Sequence, residues 1–242
     1  MTPAVLYEDD DLLVVDKPAG VVVHPSYKNA SGTLLDALVM LASAWPAGRR
    51  PSIVGRLDKF TSGLVVVAKH AAAHAAAQRA LASGDAQKLY LAIVHGVPPE
   101  RGTIDLPLRS DPSDRRRRVV SADGAASVTD FERLEAGRGA CGDVALLRCR
   151  LRTGRRHQIR AHLAARGWPI VGDAVYGAPL DGVERHALHA WRVSFVYPAR
   201  RRRLEIESPP PQDFCSVLYS CFAETSSGMS ASAFFQMAKN RS

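Results

Sequence analysis

Residues 52–69 read SIVGRLDKFTSGLVVVAK. A short apolar segment, a Thr61-Ser62-Gly63 turn and the β-branched run GLVVVAK predict a strand that enters a core through a turn. Asp58 sits immediately before that turn, at the mouth of the core, where solvent is partly excluded. An ionised carboxylate in such a place needs a cationic partner.

Outward from this stretch, turn signals alternate with strand and helix patterns. The first 25 residues hold three short β-branched runs, AVLYED, LLVVDKP and VVVHP, and predict a meander of short strands. SGTLLDALVMLASAW predicts a helix with Thr33 and Asp36 in capping-box spacing and Leu34, Leu38 and Leu41 on one stripe. After GLVVVAK come an alanine-rich helix from about His70 to Ser83, stopped by Gly84, and the strand KLYLAIVHG. Residues 98–142 are rich in Pro, Gly, Asp and Arg and read as loops and short strands, with the basic run DRRRRVV exposed. The strand DVALLRCRLRTG then leads into a helix over RRHQIRAHLAARG closed by Gly167, and HAWRVSFVYPARRRRLEIESPPP predicts a hairpin with a basic tip. Strands and helices in this irregular order give an α+β class.

Composition narrows the function. The 242 residues are 46% hydrophobic and 23% charged, with no long uncharged apolar segment and no basic-then-apolar leader, so a soluble, cytoplasmic chain is expected. A net charge of +8, mostly from arginine, favours polyanionic partners such as RNA or DNA. Cys141, Cys149, Cys215 and Cys221 show no C-x-x-C spacing and are expected as reduced thiols. His70 and His74 lie at i, i+4 but lack a third ligand nearby, so an exposed helical pair is expected and no metal site is assigned. No G-x-S-x-G, Walker or G-x-G-x-x-G motif occurs, which removes the serine-hydrolase and nucleotide-fold readings.

Three polar residues stand out. Asp58 is the first. Tyr90, in KLYLAIVHG, falls on the strand face opposite Leu89, Leu91 and Ile93. Arg160 shares a predicted helix face with Arg156, where a guanidinium is suited to hold a carboxylate or phosphate in bidentate geometry. Taken singly, each has a plain structural reading: a turn-capping aspartate, a half-buried sheet tyrosine and an arginine in a structural ion pair.

Together, the segments resemble the RNA pseudouridine synthases of the RluA-like branch. YEDDDLLVVDKPAGVVVHPS, GRLDKFTSGLVVVAK, KLYLAIVHG, RTGRRHQIRAHLAARGWPIVGDAVYG and LHAWRVSFVYP fit the family's motifs in order, over about residues 5–214. The resemblance implies a pseudouridine synthase catalytic fold: a central, mostly antiparallel mixed sheet with flanking helices and an RNA-binding cleft. It implies a catalytic domain over residues 1–214, without an amino-terminal S4 module, and a tail over 215–242 that is helical or disordered. The implied activity is isomerisation of specific uridines to pseudouridine in structured RNA, ribosomal or transfer, by a monomer that needs no cofactor, metal or membrane. Asp58 becomes the catalytic nucleophile, Tyr90 an active-site tyrosine and Arg160 a partner of the aspartate. Arg56, Leu57, Arg155, Arg156, His157 and Gln158 are implied as RNA contacts. The sequence departs from the family pattern at Gly55, where histidine is frequent, at Phe60, where a small polar or acidic residue is usual, and at Arg156, which replaces a small hydroxyl residue. A catalytically silent RNA-binding protein of the same fold is the alternative, and an intact Asp58, Tyr90 and Arg160 set argues against it.

Overall fold

A computed structural model describes residues 2–27, 29–139, 141–177, 179–197 and 202–222. In chain order the elements are β1 (Ala4–Glu8), β2 (Leu12–Lys17), α1 (Leu34–Leu41) with a 3-10 turn (Ala42–Ala44), β3 (Ser52–Val54), β4 (Ser62–Ala68), α2 (Ala71–Ala82), β5 (Gln87–His95), β6 (Arg101–Asp105), β7 (Leu108–Ser110), β8 (Arg118–Val120), β9 (Val128–Gly139), β10 (Gly142–Leu151), α3 (Gln158–Ala165), β11 (Leu188–Tyr197), β12 (Arg202–Glu207) and α4 (Gln212–Phe222). The class is α+β, as expected. The chain divides into two compact units, residues 1–88 with 190–209, and residues 89–189 with 210–242.

In the first unit β2 pairs antiparallel with both β1 and β4, β3 also pairs with β4, and β11 pairs with β12. Every residue of β4 is buried, which is why its sequence is a continuous apolar run without alternation. Its Leu64, Val66 and Ala68 pack with Leu12 and Val14 of β2 against Ala73, Ala77 and Ala80 of α2. Alanines at this spacing form a smooth helix face that lets α2 lie close to the sheet. Gly63 has φ 111°, and a Cβ there would fall 2.2 Å from the Ala190 carbonyl oxygen of β11, so this strand entry requires glycine.

Two histidine expectations change. His70 is the N-cap of α2: its Nδ1 accepts the Ala73 amide at 3.2 Å, which leaves Nε2–H to donate to Asp11 Oδ1 at 2.8 Å. Asp11 also accepts the Tyr197 hydroxyl at 2.9 Å. The His70 hydrogen bond, with that of Tyr197 and against the cost of burial, holds its carboxyl below the usual range. His74 Nδ1 lies 2.8 Å from Ser52 Oγ. The pair is therefore half-buried and used in anchoring, rather than exposed. The expected third strand, VVVHP, is instead a loop. The Val22 and Val23 carbonyls accept the Leu34 and Leu35 amides, orphan donors of the first turn of α1, so helix capping claims the backbone that a strand would have used. The capping box forms as expected, with Thr33 Oγ1 accepting the Asp36 amide and Asp36 Oδ2 accepting the Thr33 amide.

In the second unit β10 pairs antiparallel with β5 and β9, and β9 with β6. The 12-residue β9 corrects the expectation of only short strands over 98–142. β7 and β8 form a separate two-stranded arm. Helix α4 lies against the β9–β10 hairpin so closely that a Cβ on Gly139 would fall 2.6 Å from the Cys221 carbonyl oxygen. Arg185 clamps its other end, with Nε 2.5 Å and Nη2 2.9 Å from the Asp213 carboxylate.

This packing overturns one expectation. Cys141 and Cys221 form a disulfide with Cα atoms 5.2 Å apart. The two residues are 80 positions apart, and only the fold of α4 over the hairpin brings them together; sequence spacing carried no sign of it. Cys149 and Cys215 are free and buried. Of the expected tail over 215–242, residues 215–222 belong to α4, and residues 223–242, like the hairpin tip over 198–201, lie outside the described residues.

Candidate active site

Asp58 belongs to the first unit, in the segment between β3 and β4. That segment starts at Gly55, whose φ of 95° lies in the left-handed region that disfavours any side chain, histidine included. Arg56 is exposed, Leu57 is buried and tethers the loop to the core, and Asp58 is half-buried. The Asp58 carbonyl accepts the Thr61 amide at 3.2 Å, closing the turn, and Thr61 and Ser62 are buried behind it. Phe60 is 43% exposed, with Lys59 Nζ 5.4 Å from its ring centroid.

Lys17 supports this loop, and nothing in the sequence reading assigned it a role. It ends β2 fully buried, and its ammonium donates to the carbonyls of Pro18 at 2.9 Å, Val21 at 3.0 Å and Lys59 at 3.1 Å. The Lys59 carbonyl also accepts the Gly20 amide at 2.9 Å. A buried charge is tolerable only when hydrogen bonds replace its water, and here they bind loop 18–21 to the residue following Asp58. The available signal was a lysine at the buried end of the apolar run LLVVDKP.

Tyr90, Arg160 and the segment from Arg155 to Gln158 belong to the second unit. Tyr90 is half-buried on β5 and pairs in register with Cys149 of β10. Leu89, Leu91 and Ile93 of β5 are buried, but so are Ala92 and Val94 on the other face, so burial alternates only over the first half of the strand. Helix α3 starts at Gln158, later than expected, so Arg156 lies in a turn before it and does not share a helix face with Arg160. The cause is local. His157 has φ 55°, a left-handed value rare outside glycine and a conformation that cannot continue a helix. Gln158 is buried and holds the entry: its Oε1 accepts the Arg155 amide at 3.0 Å and the Thr153 hydroxyl at 2.8 Å, and its Nε2 donates to Val128 O at 3.0 Å and Thr129 Oγ1 at 2.9 Å. Arg155 is exposed and Arg156 half-exposed.

Arg160 is buried and forms a two-point pair with Asp173, Nε to Oδ2 at 2.7 Å and Nη2 to Oδ1 at 2.9 Å. Burial by itself would raise the Asp173 carboxyl; the Arg160 hydrogen bond and charge, with His186 nearby, outweigh it and hold the pKa below the ordinary value. Asp173 Oδ1 also accepts the Val175 amide at 3.1 Å and the Tyr176 amide at 3.2 Å. Neither Asp173 nor Tyr176 was singled out in the sequence, although both stand in GDAVYG. Arg115 and Arg116 of the basic run are exposed as expected, but Arg117 and Arg118 are half-buried against Tyr176. Among the described residues no group of three His, Cys, Asp or Glu side chains is arranged to hold a metal ion, and no helix is long and apolar enough to cross a membrane.

Residues 11–165 match the model of the family described as RNA pseudouridylate synthase. The chain belongs to that family. It is 41% identical over 223 residues to the ribosomal large subunit pseudouridine synthase D of Xanthomonas campestris, covering 86% of this chain and 66% of that relative. The chain thus spans just under two thirds of that relative's length. The fold is similar to that of the human RNA pseudouridylate synthase domain containing 4, with TM-score 0.72 and 25% identity, covering 90% of this chain and 92% of the human one. It is also similar to human RNA pseudouridylate synthase domain containing 1, with TM-score 0.69 and 28% identity over 87% and 84% of the two chains. Membership of the pseudouridylate synthase family places Asp58, Tyr90 and Arg160 all inside the matched residues.

Proposed function

We propose that this chain isomerises specific uridines to pseudouridine in the RNA of the large ribosomal subunit, the target class named for its Xanthomonas relative. The observation that supports the reading is the family match over residues 11–165, which spans GRLD at 55–58, Tyr90 and Arg160 in one sequence. In the reaction the N1–C1′ bond breaks, the uracil turns, C5 bonds to C1′, the C5 proton leaves and N1 takes one up. The atoms balance without a cofactor.

Asp58 is assigned as nucleophile. A carboxylate, with an ordinary pKa near ~3.9, is ionised at neutral pH and attacks either the sugar C1′ or the uracil C6. Tyr90 is assigned to stack on the extruded base, offsetting part of the few kcal/mol that unstacking costs. Arg160 supplies positive charge that favours the ionised nucleophile and an anionic substrate. Arg56, Arg155, Arg156 and His157 are assigned to RNA contacts, while Leu57 and Gln158 are buried and hold their loops in place; the other exposed arginines are assigned to phosphates that set register without reading sequence.

Carbodiimide-based mapping of pseudouridine in cells with and without the gene tests this. At least one large-subunit site is expected to disappear on deletion and to return with the wild-type gene. If no site changes while the protein binds RNA, the chain is a binder rather than an enzyme.

A further inference from the structure

One side chain touches both the basic arm and the start of α3. The Tyr176 ring is 8% exposed and packs with Leu108 at the base of the arm and Ala161 on α3. The Arg160 guanidinium lies 5.1 Å from its centroid and the Arg117 guanidinium 5.4 Å. Its hydroxyl accepts the Arg118 amide at 2.8 Å and lies 3.3 Å from His157 Nδ1, and the two rings meet edge to face with centroids 5.9 Å apart. His157 is the one non-glycine residue with positive φ among the described residues, and such strain persists only where neighbours hold it.

Two guanidiniums at one ring repel each other, and the negative face of a tyrosine ring offsets part of that cost. Asp173 pairs with Arg160 and accepts the Tyr176 amide, so carboxylate, guanidinium and ring form one assembly. Among the described residues Arg117 Nε is buried without a hydrogen-bond partner, which leaves the ring contact as a principal support of that guanidinium.

We propose that Tyr176 is a positioning residue: it docks the arginine-rich arm, residues 108–120, onto α3 and fixes the guanidinium of Arg160. The grip of the arm on RNA and the placement of Arg160 then depend on the same side chain. The inference rests on the assignment of Arg160 to the pseudouridine reaction.

The test uses the full chain and large-subunit rRNA labelled with [5-³H]uridine, taken from cells lacking the gene. Filter binding gives Kd, and tritium release in a single turnover, with enzyme saturating and in excess over RNA, gives the rate. Tyr176→Phe keeps the ring but loses the hydroxyl contacts to the arm and His157; its Kd is expected to rise about threefold to tenfold, more than its rate falls. Tyr176→Leu removes the ring and is expected to lower the rate about tenfold or more. Its effect should be non-additive with Arg117→Ala in a double-mutant cycle, which general destabilisation would not produce.

Wild-type values within twofold for Kd and rate in Tyr176→Phe, or strict additivity in the cycle, overturn the proposal. If Tyr176→Leu fails to fold, the Phe variant decides alone. If the wild-type protein itself releases no tritium, the functional reading fails, which is distinguishable from variants that match an active wild type.

Discussion

Arg160 and Asp173 meet through two parallel hydrogen bonds of 2.7 and 2.9 Å, with side chains only 5% and 1% exposed. Such a pair is costly to break from one side. Removing one charge deprives the other, buried charge of this two-point partner, a larger loss than the net value of the pair. Asp173→Asn is therefore expected to destabilise the protein by about 3 to 5 kcal/mol in urea unfolding. A loss below about 1 kcal/mol, the range of an exposed pair, would show that solvent reaches the guanidinium.

The same pair predicts a pH dependence. Because the folded pKa of Asp173 is depressed, its stabilisation is present above the unfolded value near ~3.9 and is lost as pH falls through the folded value. Stability measured from pH 6 to pH 2 should fall more steeply in wild type than in Asp173→Asn below about pH 4. Asp11 and Asp213, also depressed through their hydrogen bonds with His70 and Arg185, keep part of the slope in the variant. Parallel curves for the two proteins would contradict the assignment.

Lys17 offers a test of the Asp58 loop. Lys17→Met keeps the length of the side chain and removes the donor to the Pro18, Val21 and Lys59 carbonyls. A loss of about 2 to 4 kcal/mol is expected, from buried acceptors left without a charged donor. Pseudouridine formation should fall further than the folded fraction does, because the Lys59 carbonyl adjoins Asp58. A variant as stable and as active as wild type would show that the Gly20 amide alone holds the loop.

The disulfide is checked by counting thiols. In guanidinium without reductant the four cysteines should present two reactive thiols per chain, and four after reduction. In the native protein Cys149 should react slowly, since burial pushes its thiol up to about 12. Four thiols before reduction would contradict the Cys141–Cys221 bond.

How far the sequence spoke depended on whether a signal was local. The buried strand GLVVVAK, the Thr33–Asp36 cap and the strand KLYLAIVHG were legible because strands and caps depend on residues a few positions apart. What failed was set by distant partners. VVVHP has strand composition but gives its carbonyls to α1, and the entry to α3 is held by hydrogen bonds from Gln158 to Val128 and Thr129, 30 and 29 residues upstream. The Cys141–Cys221 bond spans 80 positions. Arg160 is the instructive case. The plain reading, an arginine in a structural ion pair, is what the Asp173 geometry shows, and its proposed role in the reaction rests on top of that pair.

The central claim concerns Asp58, and the most direct measurement is tritium release from [5-³H]uridine-labelled large-subunit rRNA by purified wild type and Asp58→Asn at equal occupancy of RNA. The account predicts release by wild type and none above background for Asp58→Asn, with RNA binding retained, because an amide cannot serve as the nucleophile. Release by Asp58→Asn at the wild-type rate would contradict it.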